Sequence, residues 1–372
     1  MFLHKISLLN FKNHPQRQIA FTKKLNCLIG NNGVGKTNLV DAIYYLCLTK
    51  SYFNPIDQQN VLFGQDFFRL EGTFNKQEEP QHLVYKFAGN RKKELTINDA
   101  PVNKLSDHVG NFPAIMITPD DSQLILGNSE ERRKFIDGTI SQVNHQYLLW
   151  VMQYNKVLAQ RNAALKRTPD NPNVNKQLIE TYNSQLVPLG IQIHKARKLA
   201  IEKLVPIFNS FYKNISLQRE QVSLEYVSQL NDKPFDQLLA DNFERDTILQ
   251  RTDAGIHKDD IDFYIKVIPE TSPPGGGMEG GKMKKFGSQG QQKSFIISIK
   301  FAQYRFIQQA KGYHPILLID DIFDKLDNDR SQKLVELIAG DTFGQVFLTD
   351  TDDAHIRQTL QGNEGAYEVF KV

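Results

Sequence analysis

Gly30-Asn31-Asn32-Gly33-Val34-Gly35-Lys36-Thr37 is a complete GxxxxGK[ST] pattern, and its flanks fix how it reads. Before it lies the short apolar run Leu25-Asn26-Cys27-Leu28-Ile29. After it, Asn38–Leu48 carries Leu39, Val40, Ile43, Leu46 and Cys47 at helical spacing. A strand, a glycine-rich loop and a helix in that order make a phosphate loop. The glycines let the backbone wrap tightly, so that amides and the helix N-terminus face an anion. Lys36 is placed to neutralise the β- and γ-phosphates, and Thr37 to ligate magnesium. The competing reading, a glycine-rich turn that merely precedes a helix, explains the glycines but not the matched flanks. Gly30, Asn31, Asn32, Gly33, Val34, Gly35, Lys36 and Thr37 are therefore expected to bind a nucleotide.

The carboxylates such a site requires lie far along the chain. Pro315-Ile316-Leu317-Leu318-Ile319-Asp320-Asp321 is an apolar strand ending in two acids, where ligands sit in open α/β sheets. Asp320 is expected to hold the magnesium shell, and Asp321 to orient or deprotonate the attacking water. Between the two motifs, Phe286-Gly287-Ser288-Gln289-Gly290-Gln291-Gln292-Lys293 precedes a long helical pattern. A hydroxyl and free amides at a helix start can hold a phosphate. Because the chain already has a phosphate loop, Ser288, Gly290 and Gln291 are expected to serve the nucleotide of another subunit. A plain helix N-cap at Ser288 or Gln289 is the alternative.

The 372 residues, at roughly 150 per domain, imply two to three lobes. Apolar residues make up 40% and charged residues 23%, ordinary globular usage that excludes whole-chain disorder. No stretch reaches the ~18 unbroken apolar residues of a membrane span. The N-terminal residues lack a signal-peptide layout, and the two cysteines, Cys27 and Cys47, form no CxxC. A cytoplasmic setting is the expectation. The net charge is +3, but residues 151–220 hold eleven Lys/Arg against four acids, leaving the remainder acidic. That asymmetry fits a polyanion partner, or equally a solvated helical face.

Strand-like runs precede residue 120, at Ile6–Phe11, Phe67–Phe74, Leu83–Phe87 and Ala114–Thr118. From Ser129 to about Phe211 long helical patterns dominate, with breaks expected at Pro169, Pro172, Pro188 and Pro206. Strands resume at Val222–Val227 and Ile261–Ile268. Pro273–Gly281 reads as a loop. A helix from about Gly290 to Ala310 and strands at Ile316–Ile319 and Gln345–Thr349 close the pattern. The expected division is 1–118 and 221–372 for an α/β ATPase head built from both chain ends, with 119–220 an inserted, mostly helical lobe. Arg132, Arg133 and Lys134 read either as DNA contacts or as salt-bridge partners of nearby acids. Tyr147, Trp150 and Tyr154 read as core.

Phosphate loop, signature-like helix start, acidic strand end and the following Lys325-Leu326-Asp327 occur in the order of the ATP-binding-cassette heads of the SMC class, and resemble them in signature motif, Walker B and D-loop. Within that class the chain resembles the RecF family. Phe11-Lys12-Asn13-His14 is similar to its NFRNY segment. Pro119-Asp120-Asp121 with Leu124, Gly127, Arg132, Arg133, Phe135, Ile136 and Asp137 is similar to its P-x-D…G…RRxFLD block, and Gly255-Ile256-His257-Lys258-Asp259-Asp260 to its GPHRDD. Val346–Thr351 is similar to its closing strand. Ile256, Lys258 and Asp321 depart from that family's or class's usual Pro, Arg and Glu.

The resemblance implies ATP and Mg2+ as cofactors and an ATP-dependent homodimer on DNA, whether single-stranded, gapped or duplex. It implies recombinase loading at single-strand gaps with RecR and other loading factors, and roles in DNA repair, replication and the SOS response. Hydrolysis is expected to be slow, DNA-stimulated and switch-like. A cassette subunit driving a transporter is the alternative; no recognisable membrane-coupling segment supports it.

Overall fold

The computed structural model describes residues 1–89, 92–167, 172–217, 220–267, 280–322, 328–351, 354, 356–357, 360 and 365–372. Lys325-Leu326-Asp327, Pro169 and residues 273–279 of the expected loop lie outside them. The chain divides into two compact units. The first comprises Met1–Ser122, Ser210–Glu220 and Ser288–Val372, and the second Gln123–Asn209 and Gln221–Gly287.

In the first unit, β1 (Phe2–Phe11), β2 (His14–Ala20), β4 (Phe67–Lys76), β5 (Glu79–Ala88), β6 (Lys92–Ile97) and β7 (Ala100–Pro101) form an antiparallel sheet, in the order β2-β1-β4-β5-β6-β7. A second, parallel sheet runs β14-β3-β13-β12-β8, with β3 at Leu25–Ile29, β8 at Ala114–Ile117, β12 at Ile316–Ile319, β13 at Val346–Asp350 and β14 at Tyr367–Lys371. Helix α1 (Lys36–Leu48) shares one core with both sheets, through Leu39, Val40, Ile43 and Leu46 against Leu8, Phe68, Leu70, Met116 and Leu318. The expected one-sided apolar stripe is thus a helix buried almost all round. Asp41 within it is fully buried, and Lys12 compensates it at 2.6 Å. β3, β8, β12 and β13 are buried along their whole length, as parallel strands covered on both faces must be.

The second unit holds α2 (Gln123–Leu126), α3 (Ser129–Val143), α4 (His145–Arg167), most of α5 (Pro172–Ile215), α6 (Phe235–Asp241), α7 (Phe243–Leu249) and the short α8 (Met283–Phe286). It also has its own three-stranded sheet, ordered β11 (Gly280–Lys282), β10 (Asp260–Val267), β9 (Glu220–Val227). The division at residue 220 is corrected here. The described residues within 221–287 group with the helical lobe, because their strands pair with one another while ion pairs tie them to its helices. Arg132 on α3 meets both carboxylate oxygens of Asp260, at 2.6 and 3.0 Å, and Arg197 on α5 meets Asp137 and Asp259.

A second correction concerns α5, which passes unbroken through Pro188 and Pro206. An interior proline removes one helical hydrogen bond and crowds the preceding turn. Buried Leu186, Ile193, Leu204 and Phe208 hold the helix together around them. The first unit resumes with α9 (Gln289–Lys311) and α10 (Asn328–Ala339).

Candidate nucleotide-binding site

The phosphate loop leaves β3 and enters α1 through Gly35, whose φ of 111° lies in the left-handed region. A Cβ there would stand 2.6 Å from His14 Nε2 and 2.7 Å from Asn13 Oδ1, so this position takes only glycine. The two neighbours come from the β1–β2 turn, which clasps the loop. His14 Nε2–H donates to the Gly35 carbonyl at 3.1 Å, and Asn13 Nδ2 donates to the Gly33 carbonyl at 3.3 Å. Asn38 on α1 donates to Asn13 Oδ1 at 2.7 Å. Burial lowers the His14 pKa, so its neutral ring carries the proton on Nε2. Sequence reading gave Asn13 and His14 no role beyond family likeness; their polar side chains at a tight turn were the available signal.

Lys36 is buried and folds back over the loop. Its Nζ donates to the carbonyls of Gly30 at 2.6 Å and Asn31 at 3.0 Å. Thr37, one residue on, meets the far motif: its hydroxyl donates to both oxygens of Asp320, each at 3.0 Å. Asp320 extends from the end of β12, its backbone N–H donating to the Ile117 carbonyl at 2.8 Å. Thr349 on β13 donates to Asp320 Oδ1 at 2.7 Å and accepts from the Asp321 N–H at 3.0 Å. Thr349 went unassigned in the sequence, since only strand register puts it beside Asp320.

Burial raises the Asp320 pKa, and the Asp321 charge adds to that, against Thr349, Thr37 and Lys36. The Thr37 hydroxyl and the Asp320 carboxylate are hard oxygen donors of the kind a divalent cation takes. Asp321 has a positive φ of 49° and an exposed side chain. Two adjacent acids therefore differ in environment, one inside the Thr37–Thr349 cluster and one at the surface. Magnesium fits this donor set of hydroxyl and carboxylate oxygens.

Ser288 caps α9 with a reciprocal box. Its hydroxyl accepts from the Gln291 N–H at 3.3 Å, and Gln291 Oε1 accepts from the Ser288 N–H at 2.8 Å. Gln291 Nε2 also donates to Glu220, which Tyr212 and Arg330 bind as well. The N-cap reading of Ser288 thus describes its geometry, and the helix start stays exposed. A Cβ on Gly290 meets no described atom within 4 Å, so nothing among the described residues demands glycine there.

The basic residues fall into two sets. Arg161 is fully buried against Asp246 at 2.7 Å, and Arg197 is buried between Asp137 and Asp259. Neither is open to a polyanion, which corrects the count of basic residues available in 151–220. Arg132 takes the salt-bridge reading, toward Asp260, and Lys134 pairs with Glu130 and Glu131; Arg133 instead donates to the Asp259 carbonyl at 2.6 Å and the Ser129 hydroxyl at 2.8 Å. Lys195 and Lys198 remain exposed. Tyr147 and Tyr154 are core, and Tyr154 donates to Nδ1 of His257, whose pKa burial lowers to about 4. Among the described residues no group of three or more His, Cys, Asp and Glu could hold a metal, and no helix is long and apolar enough to cross a membrane.

The RecF/RecN/SMC N terminal domain family model matches residues 2–371. The "DNA replication and repair protein RecF" of Flavobacterium johnsoniae is 41% identical over 372 residues, covering 100% of both chains. The protein of that name from Bacteroides thetaiotaomicron is 41% identical, over 100% of this chain and 97% of its own. Among solved structures, "recombination mediator protein RecF-ATPrS in RecFOR pathway" superposes with a TM-score of 0.85 at 23% identity, covering 100% of this chain and 96% of that one. An Smc head domain from Pyrococcus furiosus reaches 0.56 at 15% identity, over 97% and 91%. The α/β architecture is that of RecF and SMC ATPase heads, and the full-length likeness to curated relatives makes this chain a member of the RecF family.

Proposed function

We propose that this chain is an ATP-dependent DNA-binding protein of recombinational repair and replication, whose nucleotide site works as a dimerisation switch. The observation that carries the reading is the hydrogen-bonded meeting of Thr37 with Asp320, 283 residues apart, directly beside the Lys36 loop. Gly30–Thr37 wrap the phosphates, Lys36 leaves its two carbonyls for them, and Thr37 and Asp320 hold magnesium. When bound, magnesium neutralises charge across the β- and γ-phosphates. Asp321, exposed beside it, orients the attacking water.

The exposed start of α9 reaches the ATP of a second copy, with Ser288, Gly290 and Gln291 lining the approach. The open space at Gly290 supports this, because a close phosphate needs a bare backbone. The closed dimer sits on DNA, gapped, single-stranded or duplex, and acts with RecR and recombinase-loading factors in the cytoplasm, feeding the SOS response. Relatives named for DNA replication and repair support this reading over a transporter subunit.

Light scattering with ATP, ADP or no nucleotide, each with and without duplex DNA, tests it. The wild type should dimerise with ATP alone or with ATP and DNA. Lys36→Ala should stay folded, lose ATP binding and remain monomeric. Equal ATP affinity in both proteins would defeat the nucleotide-site assignment.

A further inference from the structure

Thr37 and Thr349 hydrogen-bond Asp320, and strand register sets one more threonine next to it. The third is Thr118. In the register of β8 with β12, Ala114 stands opposite Ile316 and Met116 opposite Leu318. The bond from the Asp320 N–H to the Ile117 carbonyl carries that ladder one step further. Thr118 is therefore the neighbour of Asp320 on one side, as Thr349 is on the other. Residues two apart in a strand share a face. Ala114 and Met116 face the core that α1 fills, so Thr118 faces the same side, toward Thr37.

Thr118 is 3% exposed, and its Oγ1 makes no hydrogen bond to any described residue. A buried hydroxyl without a partner destabilises the fold. Nor is this hydroxyl free to turn elsewhere. The Thr118 N–H donates to Asp121 Oδ2 at 2.8 Å. Asp121 Oδ1 in turn accepts from the Tyr52 hydroxyl at 2.5 Å and pairs with Lys300 of α9 at 2.6 Å. Lys300 also donates to the Met116 carbonyl at 3.0 Å, so the end of β8 is fastened on both sides of Thr118. Its backbone is pinned and its β-branched χ1 is stiff, and register sets the residue next to Asp320.

We propose that Thr118 is a positioning residue of the magnesium site, its Oγ1 accepting a hydrogen bond from a water of the magnesium shell beside Asp320. Magnesium gives up its waters reluctantly and keeps several of them. Metal-bound waters are strong donors that need acceptors, and the Thr37 and Thr349 hydroxyls already donate to Asp320. Thr118 supplies an acceptor that nothing else in the described residues uses. Because Asp121 also binds Lys300, the same anchor links this hydroxyl to the helix that begins at Ser288.

The inference rests on the nucleotide site proposed above, and Thr118→Val tests it by removing the hydroxyl at nearly constant shape. Without nucleotide the variant should melt at or above the wild-type temperature, since an unpaired buried hydroxyl is lost. ATP affinity, measured by titration calorimetry, should fall about 3- to 10-fold in magnesium, the worth of one hydrogen bond. In EDTA it should be unchanged. Thr118→Ser should restore the magnesium-dependent affinity, and Thr118→Ala should repeat the loss if the valine variant does not fold. Equal affinity in magnesium for Thr118→Val and wild type would overturn the proposal, as would an equal loss in EDTA. If wild type and Lys36→Ala bind ATP alike, the nucleotide site itself has failed, which is a separate outcome.

Discussion

Asp320 shows how a single residue can be costly to the fold and, in the function proposed for it, useful to the site. Its carboxyl is raised above the ordinary range, chiefly by burial. A carboxyl raised in the folded state holds its proton to higher pH than in the unfolded chain. Stability is therefore lost as pH rises from the unfolded value, about 3.9, through the folded one. Above the folded value the whole cost is present. Asp320→Asn should accordingly raise the melting temperature of the nucleotide-free protein at pH 7, and the gain should shrink as pH falls into the carboxylate range. Magnesium-dependent ATP affinity should drop about 10-fold or more, since hydrogen bonds to charged groups are worth about 1.5–3 kcal/mol. Melting curves across pH and calorimetry with and without magnesium check both halves. An unchanged melting temperature with full affinity would make Asp320 a structural acid.

At the scale of one element, the first turn of α9 has one role in its geometry, a helix cap, and a second that we propose. Its capping box satisfies backbone groups inside the chain, while the exposed Ser288 hydroxyl and the bare Gly290 backbone face outward. Ser288→Ala should remove only the cap, at a cost of about 0.5–2 kcal/mol, and leave ATP-induced dimerisation in place. Ser288→Arg should show a similar loss of melting temperature, keep ATP binding by the monomer at Gly30–Thr37, and abolish dimerisation because a long side chain fills the phosphate position. Light scattering on the two variants separates the roles. A normally dimerising Ser288→Arg protein would leave Ser288 as a helix cap alone.

For the whole molecule, charge must be counted where it is exposed rather than where it occurs in sequence. Arg161 and Arg197 are consumed by buried carboxylates, and removing one partner of such a pair costs about 3–5 kcal/mol. Reversing Arg197 would therefore measure folding, not DNA binding. Lys195→Glu with Lys198→Glu, leaving Arg197 intact, should weaken binding to all sequences alike. It should also flatten the salt dependence of duplex binding by about 2 in log–log slope, because each phosphate contact releases close to one counterion. Fluorescence anisotropy against salt on duplexes of unrelated sequence checks this. An unchanged slope would move the DNA surface to other residues.

Local sequence determined the phosphate loop, its strand and helix, and the acid pair at the end of β12. Each is a contiguous pattern whose chemistry depends on residue type and short spacing. Strands such as β4, β8, β10 and β12 were legible for the same reason. Local pattern misjudged α5, where two prolines predicted breaks that long-range burial of Leu186, Ile193, Leu204 and Phe208 overrides. It also placed β9 and β10 with the head, because a strand does not announce which sheet it joins. Only the tertiary structure decided which residues complete the site. Thr349 reaches Asp320 by strand register, Asn13 and His14 reach the loop across a hairpin, and Arg197 is withdrawn from the surface by Asp137 and Asp259. Contacts of this kind join residues tens to hundreds of positions apart, and they exist only once burial has fixed how strands align and which charges must be paired.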